Sequence, residues 1–317
     1  MLRAPGFRNS LDLINHDEMT IRESLTRNRL SFGIQYLDDA LKGIIATDLV
    51  VLAAGTGVGK SELASSIAYK NADDGKRVYG IFLEAFKGEM ELRQKYRKLA
   101  VEAKKEGLSP DYSEWIMGDQ PWLDEFKHRV DYSPFQNVFT KYRDQNYTIS
   151  HLEKDLLAIN EDADLIVIDH LHYFDIEDEN ENRGMTKIVK TISDIIQVIQ
   201  RPVVLVSHLR KRNDFFSSPL PDISDLHGSS NIAKIATKVV VMGKGSSTPQ
   251  HTYTYMKAAK FRLSGSVTNY TAVCKYNHEL NDYEKKYLLG SLGFDKKESK
   301  WLFQEASAEQ LPRWYRK

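Results

Sequence analysis

One short stretch constrains the fold of this chain more than any other. The run from Asp48 to Ala54 is apolar after its first residue, and a glycine-rich turn follows it directly. Such a continuous apolar run is typical of a strand that is buried on both faces of a parallel sheet. Residues 61–71 then have the pattern of a helix, and residues 76–83 that of a second strand. The sequence therefore predicts a βαβ unit.

The turn after the first strand carries the residue pattern of a phosphate-binding P-loop. Its residues are Ala54, Gly55, Thr56, Gly57, Val58, Gly59, Lys60 and Ser61, with Ala54 where the first glycine usually stands. Glycines without a Cβ let backbone N–H groups curl around phosphate oxygens at the start of a helix. Lys60 is expected to reach the β- and γ-phosphates, and Ser61 to bind Mg²⁺ through its hydroxyl. The loop thus predicts ATP and Mg²⁺ as ligands.

Two acidic residues follow predicted strands in a way that suits ATP hydrolysis. Asp169 ends the apolar strand 165–168, and Glu84 ends the strand 78–83. In open α/β folds, ligands bind at the carboxyl ends of parallel strands. We therefore predict that Asp169 holds the metal ion and that Glu84 is the general base that orients and deprotonates the attacking water.

The rest of the chain predicts one α/β domain with extensions. Further predicted strands cover residues 202–206, 238–242, 253–260 and 269–276, and predicted helices cover 149–159 and 185–199. Residues 86–150 are charged and aromatic without clear periodicity, and we interpret them as an insertion between sheet strands. We assign residues 1–30 to an N-terminal arm, 31–285 to the core, and 286–317 to a C-terminal tail.

The amino-acid composition limits which cellular compartment and which binding partners are expected for this protein. The 317 residues include 44 Lys+Arg and 44 Asp+Glu, so a polyanionic partner must be bound by a local basic surface. The single cysteine, Cys274, cannot form an internal disulfide, and the apolar runs are far shorter than the roughly 20 residues of a membrane span. We predict a cytoplasmic protein of a bacterium or a phage-infected cell, with an organellar matrix as the alternative and no membrane partner.

These motifs, in this order, resemble the RecA-like core of the DnaB family of hexameric replicative helicases, which includes phage primase-helicases and their mitochondrial relatives. The resemblance extends from about residue 35 to about residue 280. The stretches that carry it are 54–61, 82–84, 165–171, 202–210, 223–232 and 260–262 with Gly265. It implies a mostly parallel twisted sheet flanked by helices, and a ring-forming ATPase that moves 5′ to 3′ on single-stranded DNA.

The resemblance also implies residue roles around the ATP site. Glu84 falls on the catalytic glutamate of the family. His208, at the end of the strand 204–209, falls on the polar sensor residue that contacts the γ-phosphate. Lys260 and Arg262 match the basic finger that enters the site of a neighbouring subunit, and the arm 1–30 corresponds to a linker helix that docks on the next protomer.

Two further segments are implied to bind DNA. The first contains Arg210, Lys211 and Arg212, a basic cluster beside aromatic residues that suits phosphate neutralisation. The second contains Gly228, Ser229 and Ser230, whose small side chains let the backbone approach a phosphate. His227 stands where relatives commonly carry Arg, which changes the charge there. We interpret His170 and His172 as structural, since no further ligands accompany them at metal-binding spacing.

Two other functions remain open at this point. A RecA- or RadA-like recombination ATPase would share the core and form filaments, and a nucleotide-gated loader would bind DNA without separating strands. A primase, a polymerase or a loader is a candidate partner, while the missing cysteines argue against a zinc-binding primase module. The aromatic tail, which includes Trp301 and Trp314, is either a partner peptide or docks on its own domain.

Overall fold

The computed structural model describes residues 10–11, 18–20, 22–23, 29–143, 146–176, 180–209, 218–226, 230–264 and 269–315. One sheet of ten strands organises these residues, in the order β10-β9-β8-β7-β6-β1-β5-β4-β2-β3. The strands are β1 Leu49–Ala54, β2 Val78–Phe82, β3 Val138–Tyr142, β4 Leu165–Asp169, β5 Val203–His208, β6 Lys238–Ser247, β7 His251–Phe261, β8 Thr271–Asn277, β9 Asp282–Asp295 and β10 Lys300–Glu305.

Helices cover both faces of the sheet. They are α1 Gln35–Leu41, α2 Lys60–Asp73, α3 Glu89–Lys105, α4 Tyr112–Met117, α5 Ile149–Ala158, α6 Glu181–Ile199 and α7 Ser230–Ile235, and short 3₁₀ turns cover Pro121–Arg129, Ser133–Asn137, Leu171–Tyr173 and Ile223–Asp225. None of the helices in the described part of the chain combines the length and the hydropathy that a membrane span requires.

Strand β1 lies near the middle of the sheet, between β5 and β6, and pairs in parallel with both. Its side chains alternate between two cores. Val50 and Leu52 pack with α2 on one face, while Leu49 and Val51 pack with α5 and α6 on the other. Burial on both faces explains why β1 is apolar at every position.

The sheet has a parallel half and an antiparallel half. Strands β6, β1, β5, β4, β2 and β3 are parallel, whereas β7 to β10 each run antiparallel to their neighbours. The α/β fold and the predicted strands of residues 48–276 are confirmed. The sequence did not predict β3, which forms one edge, because its burial alternates and its residues lie within the aperiodic insertion.

The insertion has a small core of its own. Tyr96 and Leu99 of α3 pack there against Trp115 of α4 and Phe126 of the following 3₁₀ turn. This cluster lies apart from the two cores of the sheet, which accounts for the absence of a single amphipathic period across residues 86–137.

The C-terminal residues belong to the sheet and its core. β9 runs across residue 285, where we had placed the boundary of the core, and β10 pairs with it. The Trp314 ring lies 6.4 Å from that of Tyr36, and the Tyr315 ring lies 5.4 Å from that of Tyr287. Of the two alternatives for the tail, docking on its own domain is therefore the one observed. Most of the N-terminal arm lies outside the described residues.

Candidate active site

Strand register gathers the predicted catalytic residues at one edge of the sheet. Ala54 of β1 is paired with His208 of β5, and Phe82 of β2 is paired with Asp169 of β4. Because these four parallel strands are neighbours and end at the same level, the P-loop, Glu84, Asp169 and His208 meet there. The backbone N–H of Leu83 donates to the carbonyl of Asp169 (2.6 Å), which ties the residue before Glu84 to the end of β4.

The P-loop has the backbone geometry that a phosphate cradle needs. Gly57 and Gly59 have φ of 73° and 96°, a conformation that residues with a Cβ rarely adopt. An added Cβ at Gly57 would meet no atom within 4 Å, so the loop borders open space there. Gly59 caps helix α2, which begins at Lys60 and directs its first N–H groups at this space. The loop therefore fits the phosphates of ATP.

A buried lysine and a buried aspartate flank the loop. Lys60 Nζ donates to the carbonyl of Gly55 (2.9 Å), and burial lowers the Lys60 pKa, against the charges of Asp169 and Glu84. Asp169 is 1% exposed, and burial raises its pKa to about 6, aided by the charge of Glu84 and opposed by the nearby Ser61 hydroxyl and by Lys60.

The Asp169 carboxylate fits the magnesium ion that the sequence predicts. Both of its oxygens are buried, and neither makes a hydrogen bond of standard length and angle in the described part of the chain, although the Ser61 hydroxyl is close enough to lower its pKa. A buried ionised carboxylate without partners is costly, and a hard cation is the partner that would satisfy it. Ser61, one residue after Lys60 at the start of α2, supplies the hydroxyl that would complete the protein's share of the ligands.

Three side chains that the sequence did not connect meet beside this acid. His170 Nε2 lies 2.9 Å from Glu84 Oε2 and 3.0 Å from His208 Nε2. His170 is 1% exposed, while Glu84 and His208 are partly exposed at the edge of the sheet. Our interpretation of His170 as merely structural missed these contacts, because they join residues that are 86 and 38 positions apart along the chain only after β2, β4 and β5 have paired.

The spacing of this cluster would allow a metal ion, since one ligand atom from each of Glu84, His170 and His208 lies within 4.8 Å of the others. The hydrogen bonding of His170 opposes that role. Its Nδ1 accepts the backbone N–H of His172 (3.2 Å), so the neutral ring carries its proton on Nε2. A metal ligand would need that nitrogen unprotonated. A hydrogen bond therefore joins the two histidines, and Glu84 approaches the same nitrogen of His170.

Comparison with known proteins agrees with this geometry. The family model for the DnaB-like helicase C-terminal domain matches residues 30–275. The chain belongs to the DnaB-like helicase family. The resemblance stated from the motifs is thereby confirmed, and with it the RecA-like P-loop fold and the assignment as an ATP-binding helicase. Among curated proteins, no match was found.

Solved structures share the fold of this DnaB-like chain at low sequence identity. A DnaB-like replicative helicase, described with its interactions with primase, is 16% identical with a TM-score of 0.64 and covers 87% of this chain and 67% of its own. A structure described as an ATPase domain is 16% identical with a TM-score of 0.62, and the match covers 86% of this chain and 98% of the other chain. The KaiC-like protein PH0186 from Pyrococcus horikoshii OT3 is 15% identical with a TM-score of 0.54, and the match covers 80% of this chain and 97% of the other chain.

The basic pair of the DnaB-like chain lies against its own helix α7. Lys260 Nζ donates to the carbonyls of Ala233, Lys234 and Ala236 at 2.6 to 2.9 Å, and Arg262 donates to the carbonyl of Lys234 (3.1 Å). Cations at a helix C-terminus satisfy unpaired carbonyls and the negative end of the helix dipole. Within one subunit, then, the pair caps a helix and does not join the P-loop cluster.

The predicted DNA segments fall mostly outside the described residues. Arg210, Lys211 and Arg212 lie in the range 210–217, and Gly228 and Ser229 in the range 227–229, neither of which the structure describes, while the backbone of Ser230 begins α7. The residues before these ranges, Leu209 and Leu226, form an isolated antiparallel bridge. Both segments therefore follow residues that are fixed next to His208.

Proposed function

We propose that this chain is the ATP-hydrolysing motor of a ring-forming replicative helicase that moves 5′ to 3′ on single-stranded DNA. The observation that carries the proposal is the buried, unpartnered Asp169 carboxylate, which lies beside the P-loop lysine and the half-exposed Glu84 in the described part of the chain. Such an arrangement suits a metal-bound triphosphate. The family assignment supports the helicase role, and the direction and the ring come from the resemblance.

Each residue of the site has a distinct role in this proposal. Lys60 and the P-loop amides bind the phosphates and offset their charge. Ser61 and Asp169 would hold Mg²⁺, which when bound neutralises charge that develops on the phosphate oxygens. Glu84 orients the attacking water and accepts its proton, and His208 contacts the γ-phosphate.

The link from hydrolysis to movement would run through β5. His208 is the last residue of that strand, and the predicted DNA-binding residues Arg210, Lys211 and Arg212 follow it in sequence. A change at the γ-phosphate would thus reach the DNA-binding segment over a very short stretch of chain. Gly228, Ser229 and Ser230 would contribute a second contact to a DNA phosphate.

Subunit contacts are part of the proposal. Lys260 is bound by three carbonyls, whereas Arg262 is bound by one and is exposed, so Arg262 is the better placed of the two to reach a neighbouring site. The arm 1–30 would dock on the next protomer of a hexamer.

A primase partner is proposed because the DnaB-like helicase of similar fold is described with its primase interactions. We also propose that the protein acts in the cytoplasm of a bacterium or a phage-infected cell.

A forked-DNA unwinding assay tests the proposal. Forks with only a 5′ or only a 3′ single-stranded tail are incubated with the protein, ATP and Mg²⁺, and the mass of the assembly is measured in the same buffer. We expect unwinding of the 5′-tailed fork by a closed ring. Filaments would favour the recombination ATPase, and DNA binding without unwinding would favour the loader.

Two sets of variants locate the activity. Lys60→Ala and Glu84→Gln should abolish DNA-stimulated ATP hydrolysis, and retained hydrolysis in either variant would refute the site.

Replacing Arg210, Lys211 and Arg212 together by Ala should weaken DNA binding and reduce its dependence on salt, because fewer counterions are released. Unchanged affinity in the triple variant would remove this segment from the DNA interface.

A further inference from the structure

His170 contacts two of the residues whose roles in hydrolysis are proposed above, Glu84 and His208, and no role has been assigned to it. Its Nε2 lies 2.9 Å from Glu84 Oε2 and 3.0 Å from His208 Nε2. The contact with His208 is a hydrogen bond, whereas the contact with Glu84 is a close approach of nitrogen and oxygen. The rings of His170 and His208 are nearly perpendicular, at 87°, and their centroids are 4.3 Å apart. A single nitrogen is therefore placed between the base and the sensor.

Local hydrogen bonds determine which nitrogen of His170 carries the proton. The backbone N–H of His172 donates to His170 Nδ1 at 3.2 Å, so Nδ1 is an acceptor. The proton of the neutral ring is then on Nε2, where it bonds His208 Nε2, with the Glu84 carboxylate close to the same nitrogen. The neutral state agrees with the burial of the ring, which lowers its pKa to about 3, together with the neighbouring His208, His172 and Lys60.

The His170 ring is also held in place on its other sides. It packs edge-on against Tyr173, with centroids 4.7 Å apart, and is 1% exposed. Glu84, by contrast, is 42% exposed in its side chain and lies in the bend that follows β2. A rigid donor that contacts a half-exposed carboxylate restricts the rotamers of that carboxylate, which is how a neighbouring group positions a catalytic one.

We propose that His170 is a positioning residue whose Nε2–H is shared between His208, to which it is bonded without nucleotide, and the Glu84 carboxylate, which lies within reach of the same nitrogen. The proposal rests on the function proposed above. When His208 turns to a γ-phosphate oxygen, the Nε2–H is released to the Glu84 carboxylate and fixes it for the attacking water. No proton is transferred in this step. His170 thereby couples the sensor to the base, so that Glu84 is held firmly only when a triphosphate is bound.

Three substitutions separate this role from simple packing. His170→Gln places an N–H donor near the position of Nε2 without a ring, His170→Phe keeps a ring without a donor, and His170→Asn keeps a short polar group that does not reach Glu84. We expect the Phe and Asn variants to lower kcat by about 10- to 100-fold, with the KM for ATP within about 3-fold of wild type. The Gln variant should recover most of the loss. Loss in the Gln variant with retention in the Phe variant would overturn the proposal.

A double-substitution cycle tests the shared hydrogen bond. If His170 joins His208 to Glu84, the effect of His170→Asn on kcat should be at least about 3-fold smaller in a His208→Asn background than in wild type. Equal effects in the two backgrounds would contradict the coupling. His151→Asn, which alters a histidine at the start of α5, is the matched control and should leave kcat unchanged.

A spectroscopic measurement tests the geometry without hydrolysis. In ¹⁵N-histidine NMR spectra, the resonances that disappear in His170→Gln identify His170, and we expect the neutral tautomer with its proton on Nε2. A proton on Nδ1 would overturn the proposal.

If wild type hydrolyses no ATP under any condition, the proposed function fails and the positioning role with it. If wild type is active, Lys60→Ala is inactive and the Gln variant behaves like the Phe variant, only the role of His170 fails.

Discussion

A buried aspartate with a lysine nearby lies at each end of the parallel strands, Asp48 with Lys238 and Asp169 with Lys60, and the two sites differ in one respect. At the amino end, Lys238 donates to Asp48 and to the carbonyl of Gly43 (2.7 Å), and Asp48 also accepts the Thr237 hydroxyl (2.7 Å) and the N–H of Ile45 (2.9 Å). The chain itself satisfies these charges. We interpret this pair as structural.

At the carboxyl end, the lysine and the aspartate do not bond each other. Lys60 makes one hydrogen bond, to Gly55, among the described residues, and neither Asp169 oxygen has a partner there. Both ends bury an acid almost completely, with Asp48 3% and Asp169 1% exposed. Since a buried charge is tolerated only when it is paired, the difference indicates that a ligand completes the carboxyl end.

The largest effect is expected from breaking the complete pair. Lys238→Ala leaves Asp48 buried without its counter-ion, and we expect the free energy of unfolding to fall by about 3–5 kcal/mol. Chemical denaturation measures this loss. The double variant Lys238→Met with Asp48→Leu, which removes both charges, should lose less. A cost below about 1 kcal/mol for Lys238→Ala would mean that the pair does not stabilise the fold.

Removing the lysine at the carboxyl end should affect chemistry and leave folding intact. Lys60→Ala removes the cation that offsets phosphate charge, so ATP hydrolysis should fall at least about 10²- to 10³-fold, while thermal unfolding without nucleotide changes little. Lys70→Ala, an exposed lysine on the same helix, is the control. A loss of unfolding free energy in Lys60→Ala comparable to that in Lys238→Ala would remove the distinction between the two ends.

Asp169→Asn should stabilise the nucleotide-free protein in a pH-dependent way. Burial raises the Asp169 pKa from 3.8 to about 6, so above pH 6 the folded state holds an ionised carboxylate that the unfolded state solvates better. This costs on the order of 3 kcal/mol at pH 8, about half as much at pH 5, and nothing below the unfolded pKa. The variant should therefore gain stability at pH 8, and less at pH 5.

Denaturation at the two pH values, with and without Mg²⁺ and ATP, checks this prediction. Wild type should gain stability from the ligands and Asp169→Asn should not. A variant that is no more stable than wild type at pH 8 would show that the carboxylate is satisfied in some other way.

The smallest effect concerns the basic pair at α7. Lys260→Ala removes an ammonium group from three carbonyls at the end of a short helix, and we expect a loss of about 1 kcal/mol or less in unfolding free energy. Arg262→Ala, which removes one contact, should cost less still. If ATP hydrolysis by the assembly falls in Arg262→Ala at unchanged stability, the side chain acts across a subunit interface.

Local sequence predicted the parts of the site that lie within a few residues of each other. The P-loop, with Lys60 and Ser61, is one turn between one strand and one helix, so its spacing alone specifies it. The strands that end at Glu84 and Asp169 could be recognised from their apolar runs. The contact of Lys260 with the carbonyls of α7 could not be, because it depends on how β7 lies against a helix from an earlier part of the chain.

The sequence by itself determined the α/β class, the phosphate-binding loop and the residues that end the central strands, since each depends on short-range patterns of hydrophobicity and backbone freedom. Only the tertiary structure decided that His170 contacts Glu84 and His208, that residues after 285 extend the sheet, and that the buried Asp48 is paired while the buried Asp169 has no partner among the described residues. The reason is physical. Strand order and register bring together residues that are far apart in the chain, and whether a buried charge has a partner depends on what those neighbours supply.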